Sequence, residues 1–229
     1  MLRVALLYPE LLGTYGDAGN ALVLRERARR RGIEAEAVVV SMADELPAAD
    51  VYLLGGGEDG PQRQACELLR AGGLVARARN GAAVVAVCAG LQLLGTTFAV
   101  EGDDAYDGLG LVDVATTRGE RRSVGDLAVD VAGATLVGFE NHGGRTSLGE
   151  GVTALGTVLV GRGNDGRLDG FRAPRLWATY AHGPVLALNP WFADEILAEV
   201  TGEPLEPLST IADALYAERV ASLSRRRVG

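Results

Sequence analysis

The sequence predicts an α/β fold: a parallel or mixed sheet flanked by helices, with an antiparallel extension. Three observations carry that expectation. Residues 2–99 alternate short apolar runs with amphipathic stretches, the βαβα rhythm of a doubly wound sheet. From Gly108 to Val160, short β-like runs are joined instead by Gly- and Asp-containing turns, as in antiparallel pairing. The 229 residues are 48% hydrophobic but only 5% aromatic, so the core must be built from Ala, Val and Leu. Such a core suits parallel strands covered on both faces.

The elements follow in order. Leu2 to Tyr8 reads as a strand, Ala18 to Arg31 as a helix closed by Gly32, and Ile33 to Ser41 and Asp50 to Leu54 as strands. Pro61 to Arg79 has helical periodicity. Ala82 to Val87 is a short, uniformly apolar run, the pattern of a fully buried parallel strand. Ala89 to Ala99 reads as the next helix, with Leu91, Leu94 and Phe98 on one face. The extension comprises Leu109 to Thr116, Leu127 to Val131, Leu136 to Glu140 and Thr157 to Val160. Leu176 to Tyr180 returns as a strand. Pro190 to Val200 and Ser209 to Ser224 close the chain as helices, Ser209 being the expected N-cap. With no repeat or linker, residues 1–229 read as one domain.

Composition excludes several classes of function. A net charge of −8 and a pI of 4.9 argue against nucleic acid as the main partner. Two cysteines in unlike contexts make no disulfide framework, and a reactive thiol requires a reducing compartment. Leu2 to Tyr8 is too short for a signal-peptide core, and no apolar run reaches the ~18 residues of a membrane span. A soluble, cytoplasmic protein is expected.

The chemistry centres on Cys88. It stands at a strand-to-helix corner between Gly81–Val87 and Ala89–Gly95, the geometry of a nucleophile elbow. The corner lifts the sulfur clear of the backbone, and the helix N-terminus favours a thiolate. The plain alternative is a packed, inert thiol. Cys66, in an ordinary amphipathic stretch with no corner, reads as structural. A sulfur nucleophile needs a base, and the chain has two histidines. His182 follows a strand and precedes Gly183–Pro184, so it is held more rigidly than His142, which sits in a polar, glycine-bearing segment. His182 is the favoured base and His142 the alternative. Gly55–Gly56–Gly57 follow the strand ending at Leu54. They form either a flexible turn or a bare backbone whose N–H groups approach a substrate oxyanion, with Ala89 N–H as the second donor. Gln92, one turn beyond Cys88, can face the same pocket.

These residues carry a resemblance. Cys88–Ala89–Gly90–Leu91–Gln92 matches the C-x-G-x-Q elbow of class I, triad-type glutamine amidotransferases. Phe139–Thr146 resembles the corresponding stretch of the cobyric-acid-synthase-like branch. With Leu54–Asp59 and Tyr180–Pro184, the set is most similar to the glutaminase subunits of lipid II isoglutaminyl synthases, over Met1 to about Gly202. The resemblance implies a flavodoxin-like fold and glutamine hydrolysis through a Cys88 thioester, with His182 as acid and base. It implies no cofactor in this chain. ATP and magnesium belong to a Mur-ligase-like partner of the MurT type, which uses the ammonia to amidate D-glutamate in lipid II. It also implies an arginine that holds glutamine, and Arg122 is the best match, with Arg118 and Arg121 as alternatives or a solvated basic turn as the plain reading. An arginine suits a carboxylate because its guanidinium binds it bidentately.

Two other functions compete: a glutaminase for corrinoid amidation, and a catalytically silent regulatory subunit. One departure stands out. Most class I members carry a glutamate two residues after the histidine, where this chain has Pro184 and no carboxylate before Asp194. The sequence therefore leads us to expect an orienting carboxylate from the partner subunit and weak activity in isolation.

Overall fold

The computed structural model describes residues 1–226; residues 227–229 lie outside the described residues. In chain order the elements are β1 (Leu2–Leu7), α1 (Pro9–Leu12), α2 (Gly19–Arg29), β2 (Ala35–Val40), β3 (Val51–Leu54), α3 (Asp59–Ala71), α4 (Leu74–Arg79), β4 (Ala83–Val87) and α5 (Ala89–Leu93). Then come β5 (Thr97–Val100), β6 (Asp103–Asp107), β7 (Val114–Val131), β8 (Ala134–Leu148), β9 (Gly156–Val160), β10 (Leu168–Asp169), β11 (Phe171–Ala173) and β12 (Leu176–Thr179). The chain ends in α6 (Val185–Leu188), α7 (Pro190–Thr201) and α8 (Ile211–Arg226).

Among the described residues the strands form two sheets. The first has the order β11-β12-β4-β3-β1-β2, all parallel except the edge strand β11. Its strands β1, β3, β4 and β12 are almost wholly buried, which is why they read as continuous apolar runs. The second sheet, order β10-β9-β7-β5-β6, is mainly antiparallel and carries β8 on β7. The expected α/β architecture with an antiparallel extension is thus observed. No described helix is long and apolar enough to cross a membrane.

Several expected boundaries are corrected. The helix expected over 61–79 breaks at Gly72–Gly73, where Gly73 takes φ 72°, a left-handed conformation that glycine tolerates. The helix after Cys88 ends at Leu93, and Phe98 is buried in β5 instead. Gly95 passes so close to the Val114 carbonyl that a Cβ there would lie 2.5 Å from its oxygen. That crossing turns the chain into the second sheet. Residues 117–126, left between two expected strands with a solvated basic turn as one reading of their arginines, are the middle of β7, where polar residues on a half-exposed hairpin hide the strand pattern. His142 likewise sits in β8 rather than a loop. The last helix starts at Ile211, and Thr210 rather than Ser209 closes its first turn, its N–H and Oγ1 both donating to Asp213 Oδ2 at 2.7 Å.

Candidate functional site

The site lies at the carboxyl ends of four neighbouring parallel strands. The sheet order β12-β4-β3-β1 means that the segments leaving these strands meet in space although they are far apart in sequence. β4 delivers Cys88, β12 delivers His182, β3 delivers Gly55–Gly57, and the segment after β1 delivers Asp17. Thr179 and Val87 are register partners, and Cys88 N–H donates to the Thr179 carbonyl at 2.9 Å. Phe139 and His182 exchange backbone hydrogen bonds of 2.8 and 3.2 Å, pinning the histidine to β8.

Cys88 has φ 52° and ψ −104°, a conformation rare for any residue with a side chain. The strain marks a nucleophile elbow. Gly90 makes the corner possible: a Cβ there would come within 2.6 Å of Leu54 Cβ, and its N–H donates to the Gly55 carbonyl. Cys66 is the contrast, fully buried with its thiol pushed up to about 11 by burial, hence protonated and inert.

His182 is completely buried between the Tyr15 and Phe139 rings. Its Nδ1 lies 2.9 Å from Asp17 Oδ2, which also accepts the Gly56 N–H at 2.9 Å. Its Nε2 has no hydrogen-bond partner among the described residues, and Cys88 is close enough to act on the ring electrostatically. Burial disfavours the imidazolium. The hydrogen bond to Asp17 and the charges of Cys88 and Asp17 outweigh it and push His182 up to about 9. Because the folded value exceeds the ordinary 6.5, protonation favours the native state. The stability His182 contributes is complete below about pH 6.5 and is lost as pH rises through about 9. The wild-type urea midpoint should therefore fall across that window, whereas that of a His182→Asn chain should not.

Asp17 answers the missing carboxylate. The sequence leads to an expectation of a carboxylate from the partner subunit; this chain itself sets one, Asp17, 165 residues before the histidine, against the imidazole. Asp194, the next carboxylate after Pro184, instead pairs with Arg27 on α2 and with Arg31 just beyond its end. Gly56 is corrected too. Its N–H is engaged by Asp17, so it holds the orienter rather than offering an oxyanion donor. A Cβ at Gly56 would lie 2.5 Å from His182 Cε1, so the bare backbone makes room for the imidazole.

Gly57, Ala89 and Gln92 line the same pocket as Cys88. Gln92 is buried; its Nε2 donates to the Tyr180 hydroxyl at 3.2 Å and its Oε1 accepts from Gln62 at 2.9 Å. Arg122 and Arg118 reach the pocket from β7, and Arg121 is not among its lining residues. Arg122 donates to Asn141 Oδ1 and lies 3.4 Å from the Tyr15 hydroxyl, while Arg118 pairs with Asp59 at 3.0 Å. His142 also lines the pocket, but both its ring nitrogens are engaged, by Glu140 and by the Gly144 carbonyl. Of the two candidate bases, the geometry selects His182.

A family model described as the CobB/CobQ-like glutamine amidotransferase domain matches residues 3–190. The chain belongs to this family. The lipid II isoglutaminyl synthase (glutamine-hydrolyzing) subunit GatD of Staphylococcus aureus (strain N315) is 34% identical over 207 residues, 86% of this chain and 84% of that protein. The same-named subunit of Streptococcus pneumoniae (strain ATCC BAA-255 / R6) is 33% identical over 197 residues, 82% of this chain and 76% of that protein. A crystal structure of a glutamine amidotransferase shares the fold, with a TM-score of 0.58 at 23% identity, covering 87% of this chain and 98% of that one.

In this CobB/CobQ-like amidotransferase, Asp17 is the residue that sequence reasoning missed. One signal was available: a carboxylate among Gly13, Gly16 and Gly19, just beyond the carboxyl end of a strand expected in the sheet.

Proposed function

We propose that this chain hydrolyses L-glutamine to glutamate and ammonia through a Cys88 thioester, as the glutaminase subunit of a lipid II isoglutaminyl synthase. The observation that carries the proposal is the alignment of Asp17, His182 and Cys88 at one end of the sheet, beside a pocket containing two arginines. The thiolate attacks the amide carbon. The Gly57 and Ala89 N–H groups then hold the tetrahedral oxyanion. His182 gives its Nε2 proton to the departing ammonia and afterwards takes one from the water that cleaves the thioester. Asp17 keeps the proton on Nδ1, so Nε2 is the atom that exchanges. Arg122 binds the glutamine α-carboxylate, with Arg118 in reserve.

Ammonia then passes to a Mur-ligase-like partner that binds ATP and magnesium and amidates the α-carboxyl of the stem-peptide D-glutamate. The names of the two GatD relatives support this acceptor over a corrinoid. Affinity purification from the native cell should recover a Mur-ligase-like synthetase. The pair, given ATP, glutamine and lipid II, should form D-isoglutamine-containing lipid II. Amidation of a corrinoid instead would overturn the acceptor, and absence of ammonia release would overturn the glutaminase.

A further inference from the structure

The pocket wall holds a second pair of ionisable side chains that the proposed chemistry does not use, His142 lining the pocket and Glu140 behind it. Glu140 and His142 are 4% and 2% exposed. The two carboxylate oxygens of Glu140 accept the backbone N–H groups of Arg162 and Gly163 at 2.8 and 2.9 Å, and one also faces His142 Nε2 at 3.1 Å. His142 Nδ1 stands 3.1 Å from the Gly144 carbonyl, which has no proton to give. Each ring nitrogen thus faces an acceptor, an arrangement that a ring donating from both would satisfy. Burial alone would raise the Glu140 carboxyl, but the bonds from His142 and the two amides hold it below its ordinary value.

We infer that Glu140 and His142 form a buried ion pair that positions the glutamine-binding wall. The His142 ring stacks on Tyr180, centroids 3.8 Å apart, and the Tyr180 hydroxyl bonds Thr146 at 2.7 Å and Gln92 at 3.2 Å. On one side of the pair, Phe139 is bonded to His182 through its backbone. On the other, Asn141 receives Arg122. A ring clamped at both nitrogens and on one face fixes the rotation of residues 139–144, and with it the distance between the base and the substrate-binding arginine. The other ionisable groups acting on this cluster are Tyr180, Arg145, Arg162 and Asp169. His142 is thus a positioning residue, acting through Asn141 and Arg122.

This inference rests on the glutaminase reading for its kinetic consequence, but not for the state of the ring. With only two histidines, ¹⁵N NMR of the full chain resolves both rings, and His142→Gln assigns them. The expected result is a His142 ring carrying protons on both nitrogens at neutral pH; a neutral ring overturns the pair. Calorimetry with the Cys88→Ser chain provides the second measurement. Adding His142→Gln should weaken glutamine binding about ten-fold, with kcat of the single variant nearly unchanged. Unaltered affinity, or a fall in kcat alone, overturns the positioning role. Absence of glutamine binding by the Cys88→Ser parent sinks the glutaminase reading, whatever the ring's state.

Discussion

Replacing Cys88 by serine is expected to lower glutamine hydrolysis by about 10⁴-fold or more, while the chain still folds and binds glutamine. The sulfur is the only atom at the elbow able to reside as an anion beside an imidazolium; a hydroxyl at the same place stays protonated at neutral pH and attacks poorly. The substitution exchanges one atom in a side chain already held at φ 52°, so the backbone strain is unchanged. Coupled detection of glutamate provides the rate. Iodoacetamide labelling followed by peptide mass analysis tests the assignment independently. At neutral pH Cys88 should label and Cys66 should not, because Cys66 is fully buried and its thiol is pushed up to about 11. Substantial turnover by the serine variant, or preferential labelling of Cys66, would remove Cys88 from the chemistry.

What the sequence disclosed, and what it hid, follows from how each residue is read. Buried parallel strands advertise themselves, since β4 and β12 have no solvent face and need apolar residues at every position. The elbow is equally legible: Cys88 followed by Gly90 is a local demand of one corner. The β7–β8 hairpin was less so, because its exposed positions carry arginines and glycines that resemble loop composition. Its pairing shifts between Arg118 and Ser123, and that irregularity brings Arg118 and Arg122 to the pocket. Asp17 could not be found by searching near the histidine. It enters through strand order: β1 lies two strands from β4, and no local pattern encodes that adjacency. The anchoring of His142 was hidden for the same reason, since its partner Glu140 is held by the distant Arg162 and Gly163 amides.

Asp17→Asn should lower kcat by about 10²- to 10⁴-fold and leave the KM for glutamine largely unmoved. The carboxylate performs two tasks with one oxygen, accepting both His182 Nδ1–H and Gly56 N–H. An asparagine oxygen can accept both bonds, but it brings no charge, so the imidazolium formed during the reaction loses its neutralising partner. Turned the other way, the amide sets N–H against N–H and drives the ring toward the tautomer with its proton on Nε2, which cannot then act as the base. In both orientations His182 falls from about 9 toward its ordinary 6.5, because one of the bonds and charges that raise it is gone. The alkaline limb of the pH–rate profile should shift to lower pH with it, a displacement that mere loosening of the fold would not produce. An Asn variant as active as the wild type, both chains turning over glutamine only when the partner subunit is added, would restore the donated carboxylate and displace Asp17 from the site.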